Sequence, residues 1–227
     1  MRNGLIILAF ASLASPAFAQ FHLGLVSGVN QSYWTWNIKS LNRSLDYEPA
    51  MGWRVAIVGE WQWKPSMSIR AEFATHVKAN KSVRKLLFET DIIAGNFDGS
   101  IWTFYERYQY LEGSALWQIS PLKKIKPFYL LMGGTIGYMG SAWLKSKGTE
   151  ASVFSSKKSP KDLSDPNWNR NAFALDFGLG GNIPLGKNSK IKIETRYQRS
   201  LLDLSTDNNV DARTHSLLLN MGYLHRL

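Results

Sequence analysis

The chain has 227 residues, a formal charge of +10, 13% aromatic residues and no cysteine. The lack of cysteine excludes disulfides, thiolate metal sites and thiol catalysis, so stability has to come from burial or from a surrounding membrane. The basic excess is scattered, with small foci at residues 123–126 and 145–161. Such foci suit solvated loops or phosphate groups of lipids and polysaccharides.

The first element is a secretory signal over residues 1–19. Arg2 supplies a positive start, Leu5 to Ala14 an apolar run, and Ala17-Phe18-Ala19 a small-x-small cleavage site. The run falls short of the ~20 apolar residues that a spanning helix needs. The exported part is residues 20–227, a length suited to one β domain, and export makes nucleic acid a poor partner.

Strand-like alternation then recurs in chain order. FHLGLVSGVNQSYW (21–34) is followed by GWRVAIVGEWQWK, which sets Trp53, Val55, Ile57, Trp61 and Trp63 against Arg54, Ala56, Glu60 and Gln62. MSIRAEFATHVK sets Met67, Ile69, Ala71, Phe73 and Val77 against Arg70, Glu72 and His76. YQYLEGSALWQI (108–119) and PFYLLMGGTIGYMG (127–140) come next, less regular. AFALDFGLGGNI opposes Phe173, Leu175, Phe177 and Leu179 to Ala174, Asp176 and glycines. SKIKIETRYQRS (189–200) separates Ile191, Ile193, Thr195 and Tyr197 from Lys192, Glu194, Arg196 and Gln198. The closing stretch opposes Leu217, Leu219, Met221 and Tyr223 to Ser216, Asn220 and Gly222. A period of two is the signature of a strand with two unlike faces, and about eight such segments fit a small outer-membrane barrel.

The connections sort by length. KPS, SPLKKIK and PLGKNS are tight turns, whereas residues 34–50, 80–105, 144–171 and 204–212 form longer links of 17, 26, 28 and 9 residues. That alternation matches barrels with short periplasmic turns and longer outer loops. Alternation alone also allows a soluble, lipocalin-like periplasmic binding barrel with its apolar face inside.

Aromatic spacing favours the membrane. Trp53 and Trp63 lie ten residues apart on one face, as do Phe128 and Tyr138. At ~3.3 Å per residue and a tilt near 40°, ten residues span roughly 25 Å, the height of a lipid-facing band. Trp61, Tyr197 and Tyr223 complete the expected interfacial set. The opposite faces carry Arg54, Glu60, Arg70, Glu72, Glu112, Asp176, Lys192, Glu194 and Arg196, close to balanced in sign. Turned inward, they would pair across a lumen that about eight strands leave only wide enough for side chains to fill.

The expectation is thus an all-β, eight-stranded antiparallel transmembrane β-barrel of up-and-down topology, in the outer membrane of a Gram-negative bacterium. His22, His76, His215 and His225 fall on four different segments without metal-ligand spacing, so neither metal nor cofactor is expected. His76 and His215 near loop ends leave a rim enzyme open, though no catalytic spacing supports it. The expected role is non-enzymatic, structural or accessory to an envelope complex, with a small-solute channel as the alternative. The expected partners are outer-membrane lipid and lipopolysaccharide, the barrel-assembly machinery and other envelope proteins. The link at residues 144–171 is the candidate binding loop, through Trp143, Lys145, Lys147, Phe154, Lys157, Lys158 and Trp168.

YLEGSALWQI, KPFYLLMGGTIGYMG, FALDFGLGGNIPLG, IKIETRYQRSLLDL and SLLLNMGYL together resemble the PorT family of outer-membrane β-barrels of Bacteroidetes. That family's pattern often has Ile-Pro after Tyr-Leu-Glu, where Gly113 and Ser114 stand here. At the C-terminus, Asn220 and Gly222 match the usual assembly signal, while His225 and Leu227 depart from it. The resemblance implies the barrel fold and an outer-membrane location, and points to type IX protein secretion as the process served.

Overall fold

A computed structural model describes residues 20–39, 43–86, 100–121, 127–148, 157–163 and 168–227; the signal segment lies outside them. Among the described residues there are ten strands: β1 (Gln20–Ile38), β2 (Arg43–Asp46), β3 (Glu48–Lys64), β4 (Met67–Leu86), β5 (Ser100–Ile119), β6 (Phe128–Gly148), β7 (Lys157–Pro160), β8 (Asn171–Leu185), β9 (Ser189–Ser200) and β10 (Val210–Arg226). Eight of them form the wall in the order β1-β3-β4-β5-β6-β8-β9-β10, every neighbour antiparallel. Seventeen Cα pairs between β1 and β10, from His22–Arg226 to Ile38–Val210, close the ring and leave the wall no free edge. The short β2 and β7 add to the upper ends of β1 and β6.

The closing seam is tight. A side chain on Gly24 would collide with the Tyr223 carbonyl of β10, so that position requires a bare backbone. In the turn between β8 and β9, Gly186 takes φ 73°, a conformation glycine adopts without steric penalty.

The two faces of the wall invert the ordinary rule of burial. Phe73 is 62% exposed and Ile136 65%, whereas Arg70 is 0% exposed and Arg196 1%. Along β9, Lys192, Glu194, Arg196 and Gln198 are buried while Ile193 and Tyr197 face outward. A soluble lipocalin-like barrel requires the reverse, so that alternative is excluded by the direction of the side chains. A continuous apolar exterior around a charged interior is stable only with hydrocarbon outside, and the molecule is a transmembrane β-barrel of the outer-membrane type.

Several wall strands outrun the lengths expected from alternation. β4 continues to Leu86 and β5 begins at Ser100, so much of the expected 80–105 loop is sheet. β6 likewise runs to Gly148. The wall therefore stands well proud of the outer face of the membrane.

Candidate functional site

The lumen is the most heavily built site in the molecule. Its centre is a square of two arginines and two glutamates drawn from β4 and β9. Arg70 pairs with Glu72 and, at 2.6 Å, with Glu194. Arg196 reaches Glu72 at 2.9 Å and Glu194 at 2.7 Å. Glu72 also accepts from Arg54 of β3 at 2.6 Å, and Glu194 accepts from Tyr129 at 3.0 Å and Asn220 at 3.2 Å. Each carboxylate is shared between guanidinium forks, the arrangement that best offsets the desolvation of buried charge.

Three smaller groups flank the square. Glu112 takes His76 at 3.0 Å, Lys78 at 3.1 Å and Arg54 at 3.8 Å. Asp176 accepts from Thr135 at 2.6 Å and lies 3.9 Å from Arg196. Toward the periplasmic end, Glu60 binds Lys192 and, at 2.8 Å, Lys190. All nine charged residues singled out for the lumen are buried within this network. Lys78, which closes the stretch MSIRAEFATHVK on the face of Arg70, Glu72 and His76, is a tenth buried charged member.

Above the ionic layer sits an aromatic cap. Trp34 packs at a tilt against Tyr108 with ring centroids 4.2 Å apart, and Trp168 meets Trp34, Trp36 and Tyr108 at 6.4, 5.9 and 6.0 Å. Lys161 lies 5.0 Å over the Trp168 ring and donates to Glu106 at 2.6 Å and to the Tyr108 hydroxyl at 2.8 Å. Burial, with Glu106 nearby, pushes the neighbouring Tyr47 hydroxyl above its ordinary pKa.

This cap corrects the expected role of Trp168, which is packed into the mouth of the barrel instead of being offered on a loop. Trp143, Lys145 and Lys147 are also not loop residues: they stand on the outward face of β6 beyond the membrane band, the tryptophan half-buried and the two lysines exposed. Phe154 and the side chains of Lys157 and Lys158 lie outside the described residues, although the backbones of these two lysines form part of β7.

The seven expected interfacial aromatics, Trp53, Trp61, Trp63, Phe128, Tyr138, Tyr197 and Tyr223, all face outward with exposures between 38% and 56%. His76 is enclosed in the lumen, while His215 is on the outside, stacked on Tyr33 at 5.0 Å and 2.7 Å from the Tyr197 hydroxyl. The wall separates the two. At the opposite rim His225 sits 2.9 Å from Ser189, with the Tyr223 hydroxyl as the other neighbour of that serine. His215 and His225 share β10, so the four histidines occupy three strands where four segments are expected. Among the described residues, no three His, Asp or Glu side chains cluster as metal ligands would.

No family model matches the chain, and no curated protein matches it. Among solved structures it is similar to the attachment invasion locus protein Ail of Yersinia pestis, 13% identical, covering 92% of this chain and 99% of that one with a TM-score of 0.41. It is similar to Neisserial surface protein A with the same identity, coverage and TM-score. The outer membrane protein OprG of Pseudomonas aeruginosa is 8% identical, covering 92% of this chain and 96% of that one, with a TM-score of 0.41.

Proposed function

We propose that this outer-membrane barrel is a sealed, non-enzymatic scaffold, acting as a structural or accessory subunit of an envelope complex. The observation that carries the reading is the lumen, crossed by interlocked ion pairs from Glu60 up to Glu112 and roofed by the Trp34–Trp168 cap. A solute pathway needs open, hydrated space along the axis, and the side chains of this network occupy it. A rim enzyme needs its acid, base and nucleophile around one cleft, and His76 and His215 lie on opposite sides of the wall. The working surface is therefore the part of the wall that rises above the bilayer, together with its connecting links. The resemblance to the PorT family supports protein secretion as the process served by the complex.

The test is crosslinking in intact cells from a photoreactive side chain placed at Val83 or Ile101, both exposed on the raised wall. Recurrent adducts with the same envelope proteins are the expected result. Adducts with lipid alone from both positions would overturn the complex-subunit reading.

A further inference from the structure

The outward face of the raised wall carries a cleft of about 460 Å³ lined by Tyr105 and Arg107 of β5 and Trp143, Lys145 and Lys147 of β6. The strands bring these residues together in register: Arg107 pairs with Trp143, Tyr105 with Lys145, and Thr103 with Lys147. β7 then sets Lys158 at the position opposite Lys145. Among the described residues no carboxylate pairs with Arg107, Lys145 or Lys147. The nearby Glu106 points the other way, into the barrel, and is taken by Lys161.

The height of the cleft identifies its surroundings. Leu111 pairs with the girdle residue Tyr138 and both face lipid. Arg107 stands four residues further along β5, and the positions of Lys145 and Lys147 correspond to six and eight. At ~3.3 Å per residue and a tilt near 40°, the three cations rise about 10, 15 and 20 Å above the girdle. This is the headgroup layer and the zone just beyond it.

Resting on the outer-membrane reading above, we propose that the cleft binds the phosphate-bearing headgroup of an outer-leaflet glycolipid of the lipopolysaccharide type. Arg107 meets the lowest phosphate with its two-pronged guanidinium, and Lys145 and Lys147 meet charge carried higher on the sugars. Trp143 and Tyr105 supply ring faces against which a sugar packs. A ladder of like charges at successive heights matches an anion that extends along the membrane normal. It also explains why like charges are tolerated side by side on two adjacent strands, since the bound anion neutralises them.

The experiment places the full exported chain in phosphatidylcholine vesicles containing lipopolysaccharide or its enzymatically dephosphorylated form, and reads retained glycolipid by native mass spectrometry after mild extraction. Wild type is expected to retain the phosphorylated form. The triple variant Arg107→Gln, Lys145→Gln, Lys147→Gln should retain about a hundredfold less, since each cation near the surface contributes about a fivefold factor. Lys64→Gln with Lys187→Gln, on the periplasmic rim, should retain as much as wild type. Raising salt should release the lipid from unmodified protein, a readout that stands even where the triple variant fails to fold.

Equal retention of the two lipid forms overturns the proposal, as does salt-insensitive retention or displacement by millimolar inorganic phosphate. A wild-type chain that does not insert into vesicles at all overturns the membrane reading itself, which separates the two failures.

Discussion

Glu72 receives three guanidinium groups, from Arg54, Arg70 and Arg196, and has no measurable exposure of its side chain. Neutralising it leaves three buried cations sharing the remaining carboxylates Glu194, Glu112 and Asp176. Breaking a buried ion pair from one side costs about 3–5 kcal/mol, because the uncompensated charge stays in a medium that cannot solvate it. Glu72→Gln is therefore expected to lower the unfolding free energy of the vesicle-inserted barrel, read by urea titration, by an amount in that range, with a matching drop of the midpoint. Glu48 pairs with Lys81 at 2.6 Å on the solvated wall, with half of its side chain exposed. Water and salt screen that pair, and Glu48→Gln should leave the midpoint unchanged. Equal effects of the two substitutions would show that the lumen is hydrated enough to solvate its own charges.

At the scale of a strand, the exterior of β3 is ordered by depth. Ile57 lies between Trp53 and Trp63, and is 56% exposed, while Met51 lies beyond Trp53 and is 58% exposed. Near-equal exposure hides different surroundings, since one side chain meets hydrocarbon and the other the interface. Ile57→Arg is expected to cost about 2–4 kcal/mol of folding stability in vesicles, and Met51→Arg about 0–1 kcal/mol. Indistinguishable costs would move the membrane boundary.

The same dependence on surroundings decides which strands could be read from the sequence. β9 is legible because hydrocarbon and lumen impose opposite chemistry on successive residues throughout SKIKIETRYQRS. Above the membrane, water replaces hydrocarbon and both faces accept polar groups. The upper part of β4 accordingly reads ANKSVRKL, and its alternation fades although the strand continues. Lys78 is the last residue before this change, on the face of Arg70, Glu72 and His76, and a lysine closing an alternating run reads equally well as the start of a loop. The place of Trp143, Lys145 and Lys147 on a strand, where a loop is expected, is hidden by a different device. A register shift at Gln109/Tyr110 leaves Gly140 unpaired on β6, so that Met139 and Ala142 both point inward and Trp143, Lys145 and Lys147 turn outward. Periodicity carries no trace of a bulge, and the cleft that the bulge creates became visible only with the register of β5 against β6.

For the whole molecule, the question is which layer seals the barrel. Eight strands leave a bore that side chains can fill, and here the fill is of two kinds: an ionic layer inside the membrane span and an aromatic roof above it. The layers share β5 and rest on different physics. The ionic layer is pinned by β3, β4, β5, β8 and β9, with side chains from several strands converging on shared carboxylates. The roof is pinned by tilted and edge-on ring contacts between β1, β5 and Trp168, with Lys161 bridging from its cationic side. Loss of the roof leaves the ionic layer intact, because none of its hydrogen bonds involves Trp34 or Trp168. Planar-bilayer recordings of wild type and of the double variant Trp34→Ala, Trp168→Ala should thus both show no conductance steps. Steps in the double variant alone would make the roof the seal and the charged layer a hydrated throat. Steps in wild type would make the barrel a channel and remove the reason for assigning its work to the raised wall.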